Sequence, residues 1–310
     1  MSTASLGPAP FGRVLTAMVT AFNDDGSLDL EGTVRVAEHL LDHGHDGVVV
    51  SGTTGEAPTT SFEEDGAMLR AVIDAVGDRG SVLAGVGTNS TEHSVALARQ
   101  AAEAGADGLL LVTPYYNKPS QAGVAAHFTT VADATDLPVM LYDIPGRTGT
   151  IIAEETYARV AEHPRIVAVK DAVGDLTRGV RIMRDTGLVF YSGDDVLNLA
   201  WLTHGGSGVV SVVGHVAGDE YAAMVAAVER GDLAEALDIH RRLAPVVEAV
   251  MHHGPGAATA KAAMQLLGVI GSRQMRLPLL PADDGLVGML RSELNSAGLL
   301  KESPMTEGTA

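Results

Sequence analysis

The chain has 310 residues, a formal net charge of −18 and no cysteine. That length allows one α/β barrel or two domains. The negative field repels nucleic-acid backbones and anionic membrane surfaces, and the missing thiols exclude disulfides, thiolate nucleophiles and cysteine-ligated zinc.

No apolar run approaches the roughly 18 residues of a membrane span. The opening MSTASLGPAP lacks the charged start and apolar core of a signal peptide. Residues 1–10 therefore read as a disordered arm, and the cytoplasm is the expected compartment. The first β-branched run is RVLTAMVT (Arg13–Thr20), followed by the amphipathic LEGTVRVAEHLLDHG. GVVV (Gly47–Val50), SVLAGVG (Ser81–Gly87) and GLLLVTP (Gly108–Pro114) come next, with TEHSVALARQAAEAGA between the last two. PVMLYD (Pro138–Asp143), IVAVKD (Ile166–Asp171), LVFYSGD (Leu188–Asp194) and GVVSVV (Gly208–Val213) complete the strands.

The helical stretches between them end in glycine or a glycine turn, as helix C-termini often do. Strands alternating with helices at this spacing predict a (β/α)8 barrel over residues 11–216. A doubly wound sheet is disfavoured because TAFNDDGSLD, after the first strand, lacks a GxGxxG turn. DEYAAMVAAVERG, DLAEALDIHRRLAPVVEAVMHH, AATAKAAMQLLG and a last helix near Asp284–Ser296 form a C-terminal helical extension over 217–300. The polar tail, 301–310, reads as disordered.

A barrel places its active site at the C-terminal ends of its strands. The sixth strand ends in Lys170, one of four lysines with Lys118, Lys261 and Lys301. Alternation puts Ile166, Ala168 and Lys170 on one face, so a small alanine underlies the lysine. Taken alone, a lysine just past a strand is more often a snorkelling surface residue. Pointing into the barrel, it is desolvated and its neutral amine favoured. A free lysine near pKa 10.4 is neutral only a few times in ten thousand at pH 7, so burial would make it a nucleophile toward keto carbonyls.

Gly52-Thr53-Thr54-Gly55 offers backbone N–H groups and hydroxyls to an anion, and is equally the pattern of a plain βα turn. Tyr142 can shuttle protons or simply fill the rim. Arg147 can fork onto a carboxylate or form a surface ion pair. Tyr115 and Tyr116 form an aromatic pair suited to an interface.

GTTGE, VTPYYNKPSQ, LYDIPGRTG and VAVKDAVGD, in this order at successive strand ends, resemble the dihydrodipicolinate synthase family within the N-acetylneuraminate lyase superfamily of Schiff-base aldolases. The resemblance covers about residues 11–300. It implies that Lys170 forms a Schiff base with pyruvate. Thr54 and Tyr142 would relay protons, together with Tyr116 from a neighbouring subunit. Thr53 and Thr54 would hold the pyruvate carboxylate and Arg147 that of aspartate semialdehyde, with Val210 also in the substrate site. It implies no metal or cofactor, and a homotetramer built as a dimer of dimers.

Thr20-Ala21-Phe22 stands where the family commonly has Thr-Pro-Phe, and HHGPGAATAK replaces a proline-rich segment. Some members bind lysine at a subunit interface. Of the residues that site needs, Asn89 and Tyr115 are kept, Ala57 replaces a serine, Phe62 and Asp65 stand in the region of histidines, and His93 replaces an acid. Insensitivity to lysine is therefore expected. Another pyruvate aldolase of the superfamily, or a keto-acid-binding barrel without turnover, are the alternative readings.

Overall fold

The computed structural model describes residues 6–300. Eight parallel strands, paired in chain order, close into a barrel: β1 (Val14–Ala17), β2 (Gly47–Val50), β3 (Ser81–Gly85), β4 (Gly108–Val112), β5 (Val139–Asp143), β6 (Ile166–Asp171), β7 (Val189–Ser192) and β8 (Gly208–Ser211). The outer layer is α1 (Leu30–Asp42), α2 (Phe62–Val76), α3 (Thr91–Ala104), α4 (Gln121–Ala132), the short α5 (Pro145–Thr148), α6 (Glu154–Val160), α7 (Leu176–Thr186), α8 (Asn198–Thr203) and α9 (Gly214–Arg230). α10 (Leu233–Met251), α11 (Gly256–Leu266) and α12 (Asp284–Ser296) follow as the C-terminal extension. The (β/α)8 barrel with appended helices is thus the architecture of this chain.

Side chains at alternate strand positions fill the barrel interior, among them Leu15, Val49, Met140, Ala168 and Tyr191. The intervening positions pack outward against the helices, as a closed parallel sheet covered on its outer face requires. A separate apolar cluster joins α9, α10 and α12. Side-chain N-caps start many of the helices: Asp29 for α1, Ser90 for α3 and Asp175 for α7 each accept a first-turn N–H. α2 opens on a reciprocal capping box between Ser61 and Glu64.

Several expected boundaries move. β1 stops at Ala17 because the next ladder partners change: Met18 N–H still reaches Val49 O at 3.1 Å, but Val19 N–H donates to His215 Nε2 at 3.0 Å. The expected common face of Ile166, Ala168 and Lys170 is corrected by a bulge. Val139 pairs with Ile166 while Met140 pairs with Ala168, leaving Val167 as an extra residue. Alternation breaks at such a bulge, so Ile166 joins the outer core while Ala168 lies in the barrel interior. The dividing line at 216/217 falls inside α9, at Ala217, whose φ of −130° and ψ of 33° break the helix.

The arm read as disordered is seated from residue 6 onward. Leu6 is buried in the cluster under the C-terminal helices, and Arg13 Nη1 donates to Gly7 O at 3.2 Å. The expectations for residues 1–5 and 301–310 lie outside the described residues.

Candidate active site

β5 and β6 place Tyr142 and Lys170 side by side as register partners at the C-terminal mouth of the barrel. Both are buried. The Lys170 Nζ sits 4.4 Å from the centroid of the Tyr142 ring. Burial, aided by the positive charge of Arg147 and opposed by Asp195, pushes the Lys170 amine down to about 8. At that value about a tenth of the amine is neutral at pH 7, against a few parts in ten thousand for a free lysine. Burial raises the Tyr142 phenol above its ordinary range, so it stands protonated at neutral pH.

Gly193, just past β7, makes room for the lysine. A Cβ there would lie 2.8 Å from Lys170 Cγ, 3.0 Å from its Cε and 2.9 Å from Asp171 O.

Asp195, also buried, acts electrostatically on Lys170 and favours its charged form. It accepts from the Val212 and Val213 N–H groups at 2.8 and 3.1 Å, from Asn198 Nδ2 at 3.0 Å and from the Ser211 hydroxyl. Behind the reactive pair, the next residues of the same strands, Asp143 and Asp171, are also register partners. They point to the helix layer, where Arg178 lies 3.6 Å from Asp143 and Tyr157 Oη donates to Asp143 at 3.1 Å. Burial raises these carboxyls to about 7 and about 6, with Arg178 partly opposing it.

The GTTGE loop leaves β2 through Ser51, which has a φ of 54°. Glu56 N–H to Thr53 O (3.2 Å) and Ala57 N–H to Gly52 O (3.3 Å) close the turn around Thr53 and Thr54. Thr54 is buried and Thr53 exposed. A cavity of about 430 Å³ opens over the barrel mouth. Thr53, Tyr115, Tyr116, Tyr142 and Arg147 line it. Lys170, Thr54 and Val210 do not; Lys170 lies against the Tyr142 ring, and Val210 is fully buried in the barrel interior. Arg147, on α5, is exposed and makes no side-chain hydrogen bond or ion pair among the described residues. Tyr116 is 89% exposed at a φ of 68°. Among the described residues, no group of three or more histidine, aspartate or glutamate side chains could hold a metal ion.

Reading along the sequence missed Glu56, Lys261, Asp195 and the Asp143–Asp171–Arg178 cluster. For the aspartates a local signal existed: Asp143 and Asp171 each directly follow a residue of the reactive pair.

The family model described as the dihydrodipicolinate synthetase family matches residues 10–296. The chain belongs to that family. It is 59% identical over 298 residues, 96% of this chain and 97% of its relative, to a 4-hydroxy-tetrahydrodipicolinate synthase of Kineococcus radiotolerans. A 4-hydroxy-tetrahydrodipicolinate synthase of Acidothermus cellulolyticus is 56% identical over 296 residues, 96% of each chain. Among solved structures, dihydrodipicolinate synthase from Cyanidioschyzon merolae with lysine bound superposes with a TM-score of 0.90 at 43% identity, covering 94% of this chain and all of its own. The Thermotoga maritima dihydrodipicolinate synthase superposes with the same TM-score of 0.90 at 37% identity and the same coverage of both chains.

Proposed function

We propose that this chain is a lyase that condenses pyruvate with aspartate 4-semialdehyde, giving 4-hydroxy-tetrahydrodipicolinate in lysine and diaminopimelate biosynthesis. The single observation that carries the mechanism is Lys170, buried against the face of Tyr142 with its amine pushed down to about 8. The neutral Nζ attacks the C2 carbonyl of pyruvate and water leaves, forming an imine. Loss of a C3 proton gives the enamine, a carbon nucleophile, which attacks the aldehyde of the second substrate. The amine of that substrate then closes on C2, and the Lys170 nitrogen departs as the ring forms.

Each step moves a proton at a defined atom. The protonated Tyr142 phenol, whose ring packs against the amine, donates the proton and passes protons on through Thr54 and Tyr116. Thr53 and Thr54 hold the pyruvate carboxylate at the turn that ends β2. Arg147, exposed at the cavity without a side-chain partner among the described residues, takes the carboxylate of the semialdehyde, a bidentate contact that suits a guanidinium. The exposed Tyr116 is supplied to the relay of a neighbouring subunit, in a homotetramer built as a dimer of dimers. No metal or cofactor enters any of these steps.

Steady-state assays decide the substrate. Turnover of pyruvate with aspartate semialdehyde is expected, and cleavage of sialic or keto-deoxy sugar acids is not. Turnover of a sugar acid in preference to the semialdehyde would assign the chain to another branch of the superfamily. Imine formation without turnover of any aldehyde would make it a binding barrel.

A further inference from the structure

A second buried lysine, Lys261, lies on α11 of the C-terminal extension with no exposed surface. Its amine pairs with the Glu56 carboxylate, also buried, and donates to Gln274 O at 2.9 Å. The Phe22 ring lies beneath it, 4.4 Å from Nζ to the centroid. The other oxygen of Glu56 accepts from Arg276 N–H at 3.0 Å. The Arg276 guanidinium stacks on the same Phe22 ring at 4.3 Å and forks onto Glu64 at 2.7 Å through each nitrogen. It also donates to the carbonyls of Gly26 and Thr59.

Glu56 is the last residue of GTTGE, and its own N–H closes the turn onto Thr53 O. It holds a φ of 60°, a left-handed conformation. A residue with a Cβ stays in that region only where its surroundings over-determine it. Here the surroundings are the Lys261 amine and the Arg276 N–H. Thr54 is two residues from Glu56, and the turn's other closing bond comes from Ala57 N–H.

We propose that Lys261 is a positioning residue for the reaction: through Glu56 it fixes the Thr53–Thr54 turn, so the C-terminal extension builds part of the pyruvate site. The proposal rests on the reading of that turn as the pyruvate carboxylate cradle. Burial lowers the Lys261 amine below its ordinary range and the Glu56 carboxylate opposes this. Held against Glu56 and Gln274 O, it lies outside the cavity and does not compete with Lys170 as a nucleophile.

The test compares variants by borohydride trapping of pyruvate and by steady-state kinetics. Lys261→Met strands a buried carboxylate, which destabilises the fold. The double variant Glu56→Gln/Lys261→Met leaves no buried charge, and its Gln oxygen still accepts from Arg276 N–H. Lys261→Arg keeps the pair. Displacement of a substrate-holding group by about 1 Å costs on the order of 100-fold. The double variant is therefore expected to melt near the wild-type temperature yet trap pyruvate about 10- to 100-fold more slowly. Its KM for pyruvate should be raised and its KM for the semialdehyde unchanged. Lys261→Arg is expected to show the same split, less strongly.

A loss of folded fraction alone would lower kcat and leave both KM values untouched, which would make the pair purely structural and overturn the proposal. Wild-type trapping rates in the double variant would also overturn it. If the wild type itself failed to trap pyruvate, the function assigned to the site would be the error, not the role of Lys261.

Discussion

Lys170 and Tyr142 are register partners on adjacent strands, with the lysine Nζ 4.4 Å from the centre of the tyrosine ring. An amine held over an aromatic face is attracted to it as a cation. Burial nonetheless dominates, and the amine is pushed down to about 8. A group that is cationic at rest and readily deprotonated suits imine chemistry.

Pyruvate and borohydride should add one pyruvyl-derived mass to the protein, mapped to Lys170. Lys118 is exposed and Lys261 is held by Glu56, and neither lines the cavity. Label on Lys118, Lys261 or Lys301, or none, would remove the mechanism. Lys170→Arg should abolish labelling, because a guanidinium stays protonated.

The rate of imine formation should rise with pH through the Lys170 titration. Below about 8 the neutral fraction grows roughly tenfold per pH unit, and above it the rate should level off. Trapping rates between pH 6 and 10 would check this. A rate still climbing steeply past the ordinary lysine range, near 10.4, would mean that the amine is not desolvated.

Arg147→Ala should cost about 2–4 kcal/mol of transition-state stabilisation with aspartate semialdehyde, as loss of a charge-assisted bidentate contact does. Removing this cation also relieves its repulsion of the Lys170 ammonium, so the amine titrates somewhat higher and trapping near neutral pH slows modestly. Should trapping fall as far as turnover, the carboxylate assigned to Arg147 is the wrong one.

Gly193→Ala should inactivate without unfolding the barrel. The added methyl meets Lys170 Cγ at 2.8 Å and the backbone oxygen of Asp171 at 2.9 Å, so the lysine is displaced and the end of β6 must shift locally with it. Loss of pyruvate labelling with a retained far-ultraviolet dichroism spectrum is the expected result. Wild-type labelling would show that the lysine has a second route to the cavity.

L-Lysine up to millimolar concentration should leave initial rates unchanged. The family resemblance implies that His93 stands where lysine-binding members carry an acid for the ammonium, and losing one partner of a desolvated pair costs about 2–5 kcal/mol. Asp65 is a poor substitute. Its carboxylate already accepts from Ser51 Oγ at 2.9 Å and Thr60 Oγ1 at 2.8 Å, and burial raises its pKa. Saturable inhibition below millimolar lysine would refute this.

The strand–helix alternation and the residues that end each strand are legible in the amino-acid order alone. Both are local properties: apolar periodicity selects the element, and glycine, proline or a polar cap ends it. That was enough to set Lys170, Tyr142, Arg147 and the Thr53–Thr54 turn at or just past strand ends; the family resemblance is what joined them into one expected site.

Which way each side chain faces, and what it meets, emerges from the folded barrel. Ile166 left the expected face because β6 carries one residue more than β5 at Val139–Met140, a mismatch that exists only between strands. The Lys170 amine is lowered by burial and by Arg147, groups set around it by barrel closure. Glu56 and Lys261 meet across 205 residues of chain, and neither stretch holds a local sign of the other. Burial and charge act through space, so chemistry that depends on them becomes legible only when the fold has brought distant residues together.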